Sequence, residues 1–155
     1  MDFVGPIYPA SDRGKRFILT IMDYATRYPE AVALSNIDTE TVAEALIEVY
    51  SCVGIPNEVL TGMGSQFTSA VMRELSRLVT IKQLTTTPYN PRCNGMIEKF
   101  NGTLKMMSKR MCAEQPREWD HYLAPLLLAY REAPHESLGG FSPFALLYGR
   151  CVRGP

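Results

Sequence analysis

The sequence predicts a three-layer α/β domain with a mixed sheet, and three observations carry that expectation. The chain opens on a β-hairpin, strands and helices alternate after it, and 155 residues with 46% hydrophobic side chains supply one domain with one core. No repeat or charge block divides the chain, and its 11 Gly and 11 Pro are spread along it rather than gathered in a linker.

The elements follow in order. Residues 1–4 (MDFV) are strand-like. Residues 16–23 (RFILTIMD) form a β-branched and aromatic run, and 28–34 (YPEAVAL) are its hairpin partner across a turn at 24–27. Asp23, just before that turn, reads as a cap for the turn's backbone N–H groups. Residues 39–52 follow Asp38, a good N-cap, and place Val42, Ala45, Leu46 and Val49 on one helical stripe. Gly54 and Pro56 end that helix, 57–61 (NEVLT) read as a short buried strand, and 65–79 return to helical period with Ser65 as N-cap. Residues 81–85 are a further strand, and 86–95 (TTPYNPRCNG) a loop.

The longest helix spans 96–113, where Ile97, Phe100, Leu104, Met107 and Met111 fall within an arc of about 80°. Glu98, Lys105 and Lys109 share another side of it, the lysines at about −20° and +20° from Glu98. A last long helix is expected over 118–132, apolar on more than one side and so buried on both.

Composition narrows the functions open to such a domain. Sixteen Lys+Arg balance sixteen Asp+Glu, so no global positive field favours nucleic acid, and any such contact has to come from a local patch. The longest strictly apolar run, 123–130, has eight residues and contains Pro125, against the ~20 a membrane helix needs. Cys52, Cys93, Cys112 and Cys151 are far apart without a C-x-x-C pair, and no signal segment opens the chain. The expected setting is therefore reduced and intracellular, nucleus or cytoplasm. No G-x-G-x-x-G or P-loop supports a small-ligand α/β reading.

Five segments stand together in register: MDFVGP, FILTIMDYATRYPEA, VGIPNEVLTGMGSQFTS, TTPYNPRCNGMIEKFNGTLK and GGFSPFALLYGR. In this order they resemble the catalytic core of retroviral and retrotransposon integrases, with the Ty3/gypsy class the nearest in character. The resemblance covers residues 1–155. It implies a ribonuclease H-like fold, a five-stranded mixed sheet flanked by helices. It also implies that the family's upstream zinc-binding domain and downstream small β domain lie outside this chain. The first strand would then start abruptly at Met1 and fray.

Such cores use three carboxylates to hold two Mg²⁺ (or Mn²⁺) ions, since hard cations need several anionic oxygens. Asp2 matches the first carboxylate and Glu98 the third, 35 residues separating position 62 from Glu98 as in the family pattern. The second is missing: Gly62 stands where T-D-x-G-S-Q-F has its Asp. Asp2 and Glu98 are then the expected metal ligands, holding a single ion weakly, and DNA integration by 3′-end processing and strand transfer is expected to be impaired.

By the same resemblance Ser65, Gln66, Tyr89, Asn101, Lys105 and Lys109 would contact DNA at element ends or target. The residues alone also allow plainer roles: Glu98 as a first-turn acid favoured by the helix dipole, Tyr89 as a surface tyrosine, and the lysines as a solvated face. The family's two-fold interface between its first and fifth helices implies a homodimer, with which the apolar 118–132 agrees. A non-catalytic nucleic-acid-binding or dimerisation module, from a decayed or domesticated element, is the alternative that Gly62 favours.

Overall fold

The computed structural model describes residues 1–61, 69–85 and 95–152. Strands β1 (Asp2–Val4), β2 (Phe17–Met22) and β3 (Pro29–Leu34) form an antiparallel sheet in the order β1-β2-β3, with Asp2 opposite Thr20 and Ile18 opposite Ala33. The β2–β3 turn is built as its sequence implies: Asp23 Oδ2 accepts from the Thr26 backbone N–H (2.8 Å) and hydroxyl (2.6 Å).

Strands β4 (Glu58–Thr61) and β5 (Lys82–Thr85) pair in parallel, separately from the first three. The continuous five-stranded sheet expected from the resemblance is thus, among the described residues, a three-stranded and a two-stranded sheet. The two meet at Met1, whose α-amino group donates to the Leu60 carbonyl at 2.7 Å. A β1 of three residues offers too short an edge for a sustained ladder with β4. Its first residues make further contacts. Met1 packs on the core, and the Thr20 hydroxyl donates to the Asp2 carbonyl at 3.1 Å. β4 is less buried than expected, since Glu58 is exposed and only Thr61 is fully buried.

The three layers follow from the period of two along β2 and β3. Leu19 and Leu34 face one side, where helix α1 (Thr39–Val53) buries Val42, Ala45, Leu46 and Val49 against them. Ile18 faces the other side with Val4, under Phe100 and Leu104 of helix α3 (Gly95–Met111) and Leu126 and Leu127 of helix α4 (Leu123–Glu132). Helix α2 (Ala70–Leu78) joins α1's layer through Met72. A short α5 (Pro143–Tyr148), capped by Ser142, closes the described chain.

The caps are local and explicit. Asp38 Oδ1 accepts from the Thr41 N–H at 2.9 Å and starts α1. Ser69 caps α2 through the Met72 N–H at 3.3 Å, while Ser65, the expected cap, lies outside the described residues, as do 86–94 of the expected loop 86–95, whose last residue Gly95 begins α3.

The last long helix is shorter than its apolar pattern suggests. A 3₁₀ turn occupies Pro116–Glu118, and α4 begins at Leu123. Pro125 explains the break: a helix running from Glu118 would need its N–H for the His121 carbonyl and would push its ring into that group. At the third position of α4 the missing donor is one of those no helix uses. Leu123, Leu126 and Leu127 are buried, whereas Leu128 is exposed, so α4 is covered on one side only in this chain.

Two contacts fasten this layer. Arg131 of α4 donates to the Pro29 carbonyl (2.8 and 3.0 Å), pairs with Glu30 (2.6 Å) and lies over the Tyr28 ring. Ahead of α4 the buried Asp120 accepts from Ser11 Oγ (3.1 Å) and Arg13 Nε (2.8 Å). Burial pushes the Asp120 carboxyl up, but the Arg13 and Ser11 hydrogen bonds outweigh it and hold the pKa below its usual 3.8. The charged carboxylate therefore stabilises the fold above the ordinary aspartate range, and that contribution is lost as pH falls through the lowered pKa. Asp120→Asn is expected to cost about 1–3 kcal/mol at neutral pH, and a smaller difference below about pH 4, in urea titrations followed by circular dichroism.

Gly5 ends β1 at φ +137°, where a Cβ would come within 2.7 Å of the Arg16 carbonyl oxygen and 2.8 Å of the Phe17 ring. Backbone cannot yield as a flexible side chain would, so Gly5→Ala is expected to cost about 2–3 kcal/mol, read as a lower urea midpoint at unchanged slope.

Candidate active site and nucleic-acid face

Three elements bring the site together. β1 carries Asp2 at its first position, β4 ends at Thr61, and the first turns of α3 carry Glu98 and Asn101. The bond from Met1 to Leu60 puts the residues that follow each of them, Asp2 and Thr61, at the same end of the two sheets. α3 lies across β1 and β2 because Phe100 and Leu104 bury against Val4 and Ile18.

Asn101 closes the arrangement. Its Nδ2 donates to Asp2 Oδ2 at 3.0 Å, and the residue is 6% exposed. Glu98 stands three residues earlier on α3, one turn away on a neighbouring face, and is exposed. The two expected metal-binding carboxylates are therefore brought to neighbouring places, Asp2 held by an amide and Glu98 open to solvent. The buried Met1 α-amino group lies beside Asp2: burial pulls its pKa down to about 6, although the Asp2 charge pulls the other way.

One oxygen at this place lacks a hydrogen-bond partner among the described residues, the buried Asn101 Oδ1. An amide oxygen beside a carboxylate is a donor a hard divalent cation accepts. The set suits one ion. It does not supply the three-carboxylate cage of two-metal chemistry, since no three His, Cys, Asp or Glu side chains cluster among the described residues and position 62 is glycine.

Lys105 and Lys109 extend from the site along α3, both exposed and one turn apart. Gly62, Ser65, Gln66 and Tyr89 lie outside the described residues. Asn101, expected at DNA, is buried and donates its amide nitrogen to Asp2. That role had a signal in the sequence: Asn101 sits about 40° from Ile97, at the border of the core stripe and three residues after Glu98. No helix among the described residues is long and apolar enough to cross a membrane.

Known proteins bear on this geometry. The "uncharacterized protein K02A2.6" of Caenorhabditis elegans is 29% identical over 153 residues, 99% of this chain and 12% of its own length. The gypsy retrotransposon integrase-like protein 1 of Homo sapiens is 25% identical over 130 residues, 84% of this chain and 24% of its own. The chain thus spans an eighth to a quarter of these relatives. In three dimensions it is similar to a chain of the simian T-cell lymphotropic virus intasome solved with the PP2A regulatory subunit B56 gamma. The TM-score is 0.80 at 17% identity, over 99% of this chain and 56% of that one, a likeness of fold. The family model of the integrase core domain matches residues 1–91, which hold Asp2 and Gly62 and stop short of Glu98. With the resemblance in register and the fold in agreement, this chain belongs to the integrase core domain family.

Proposed function

We propose that this chain is the core of a retrotransposon-type integrase that binds DNA and holds one divalent metal ion, with end processing and strand transfer impaired by Gly62. The observation that carries the reading is the Asp2–Asn101 contact at the head of α3, one turn from Glu98. Asp2, Glu98 and the Asn101 amide oxygen are the groups that would hold Mg²⁺ or Mn²⁺. When bound, the ion polarises a phosphodiester and activates a water or a 3′-hydroxyl. Asn101 keeps the Asp2 carboxylate oriented, and the lysines neutralise phosphates alongside it.

Isothermal titration with Mn²⁺ and Mg²⁺ tests the metal. Wild type is expected to bind one ion weakly, Asp2→Asn to abolish that binding, and Asn101→Ala to weaken it by about 10–100-fold. Binding that survives Asp2→Asn unchanged overturns the assignment.

A second copy is the proposed partner besides DNA. A groove of about 410 Å³ lies between α1 and α4, walled by Val49, Cys52, Leu123, Ala124 and Leu127 over β3, with Glu30, Glu48, Asp120 and Arg131 also lining it. Its apolar walls, with Leu128 exposed on the same helix α4, support a two-fold homodimer. A monodisperse monomer in sedimentation at tens of micromolar would count against it. Gly62 keeps the second reading alive, a non-catalytic DNA-binding or dimerisation module acting inside the cell.

A further inference from the structure

A cavity of about 500 Å³ opens between residues 5–8 and the C-terminal half of α3, away from the Asp2 end of the helix. That volume is in the range of small-molecule sites, roughly 300–1,000 Å³. Its inner wall is apolar, with Val4, Ile18, Leu104 and Trp119 all buried. Its mouth is basic: Lys105 and Lys109 line it from consecutive turns, and Tyr8, 72% exposed, accepts the Arg16 guanidinium on its hydroxyl at 2.9 Å.

The charge pattern selects the ligand. None of the described lining residues is acidic, although acids equal bases over the whole chain. Ser108 and Trp119 add donors, and the Trp119 indole Nε1 is buried, in a residue 3% exposed, with no hydrogen-bond partner among the described residues. Donors and cations with no carboxylate, over an apolar wall, suit a molecule with an apolar body and an anionic head.

We infer that this cavity binds a small amphipathic anion, an aromatic or short aliphatic body bearing one phosphate, carboxylate or sulfonate. The body enters beside Val4, Leu104 and Trp119, and the head stays at the mouth on Lys105 and Lys109. The site needs neither the metal nor the missing carboxylate. It rests on the proposed DNA face only in sharing the two lysines, so anion and DNA exclude one another there.

Trp119 is the only tryptophan in the chain and reports on the cavity from its wall. With the probe 1-anilinonaphthalene-8-sulfonate, saturable quenching of Trp119 is expected. The exposed pair Lys105→Gln/Lys109→Gln is expected to weaken that probe by at least about tenfold, and Lys105→Arg/Lys109→Arg to restore it. The neutral N-phenyl-1-naphthylamine is expected to change by less than about twofold, since it has no charge for the lysines to hold. Displacement of the probe by adenosine monophosphate but not decanoate makes a nucleotide the source of the anion, and the reverse a free carboxylate.

Absence of Trp119 quenching, displacement by neither competitor, or equal probe affinity in wild type and the Gln pair overturns the inference. DNA binding measured by anisotropy on the same variants separates the two readings. A Gln pair that loses DNA but keeps the probe removes the cavity site and leaves the DNA face. One that loses the probe but keeps DNA does the opposite.

Discussion

Gly62→Asp is expected to raise Mg²⁺-dependent nicking and strand transfer on a double-stranded oligonucleotide by at least about a hundredfold over wild type. Loss of a residue that merely supports a metal ligand costs about 10–100-fold in affinity or activity, and loss of the ligand itself costs more. Position 62 directly follows Thr61, the buried last residue of β4. That strand ends beside the place where Met1 bonds Leu60 and Asp2 begins β1. The resemblance implies that an aspartate at position 62 would join Asp2 and Glu98 as a third anionic donor, which is what a second hard cation requires. The same variant should bind a second Mn²⁺ in titration, a readout independent of turnover. If wild type and Gly62→Asp are both inactive with intact folds, glycine at this position is not the deficit.

Phe100→Ala is expected to cost about 3–5 kcal/mol, the usual loss for a buried aromatic, and to lower the melting temperature by roughly 10 °C or more. Phe100 is 2% exposed and joins three elements. It belongs to the cluster that seats α3 on Val4 and Ile18, and its ring meets Tyr130 of α4 edge-on, at 5.0 Å and 77°. The site is coupled to the same packing, because Asn101 follows Phe100 directly and reaches Asp2 only while α3 is seated. The variant should thus weaken metal binding well below its melting point. Unchanged thermal unfolding would show that α3 is held by other contacts.

Much of this was legible along the chain, because local rules suffice where interactions are local. The Asp38 cap, the Asp23 turn, the alternation of Ile18 and Leu19 between two cores, and the stripe on α3 each depend on residues a few positions apart. The break before α4 was legible in principle too, since Pro125 forbids a helix from Glu118; the apolar run of leucines around it masked the missing donor. Asn101 was harder. Its spacing from Glu98 places it on the right side of α3, but its partner Asp2 is 99 residues away and no period reaches that far.

The sequence by itself determined the family, the layering, the positions of Asp2 and Glu98, and the absence of an aspartate at 62, since these depend on residue identity and spacing. Tertiary structure alone decided that the strands divide into two sheets meeting at the Met1–Leu60 bond. It alone turned Asn101 from a helix-surface amide into the group that holds Asp2, and enclosed a basic-mouthed cavity between residues 5–8 and α3. Each of these is a contact between segments distant in the chain. Such contacts form when burial of Phe100, Leu104 and Trp119 against β1 and β2 brings the segments together, and that free energy is shared by the whole core rather than encoded at any one position.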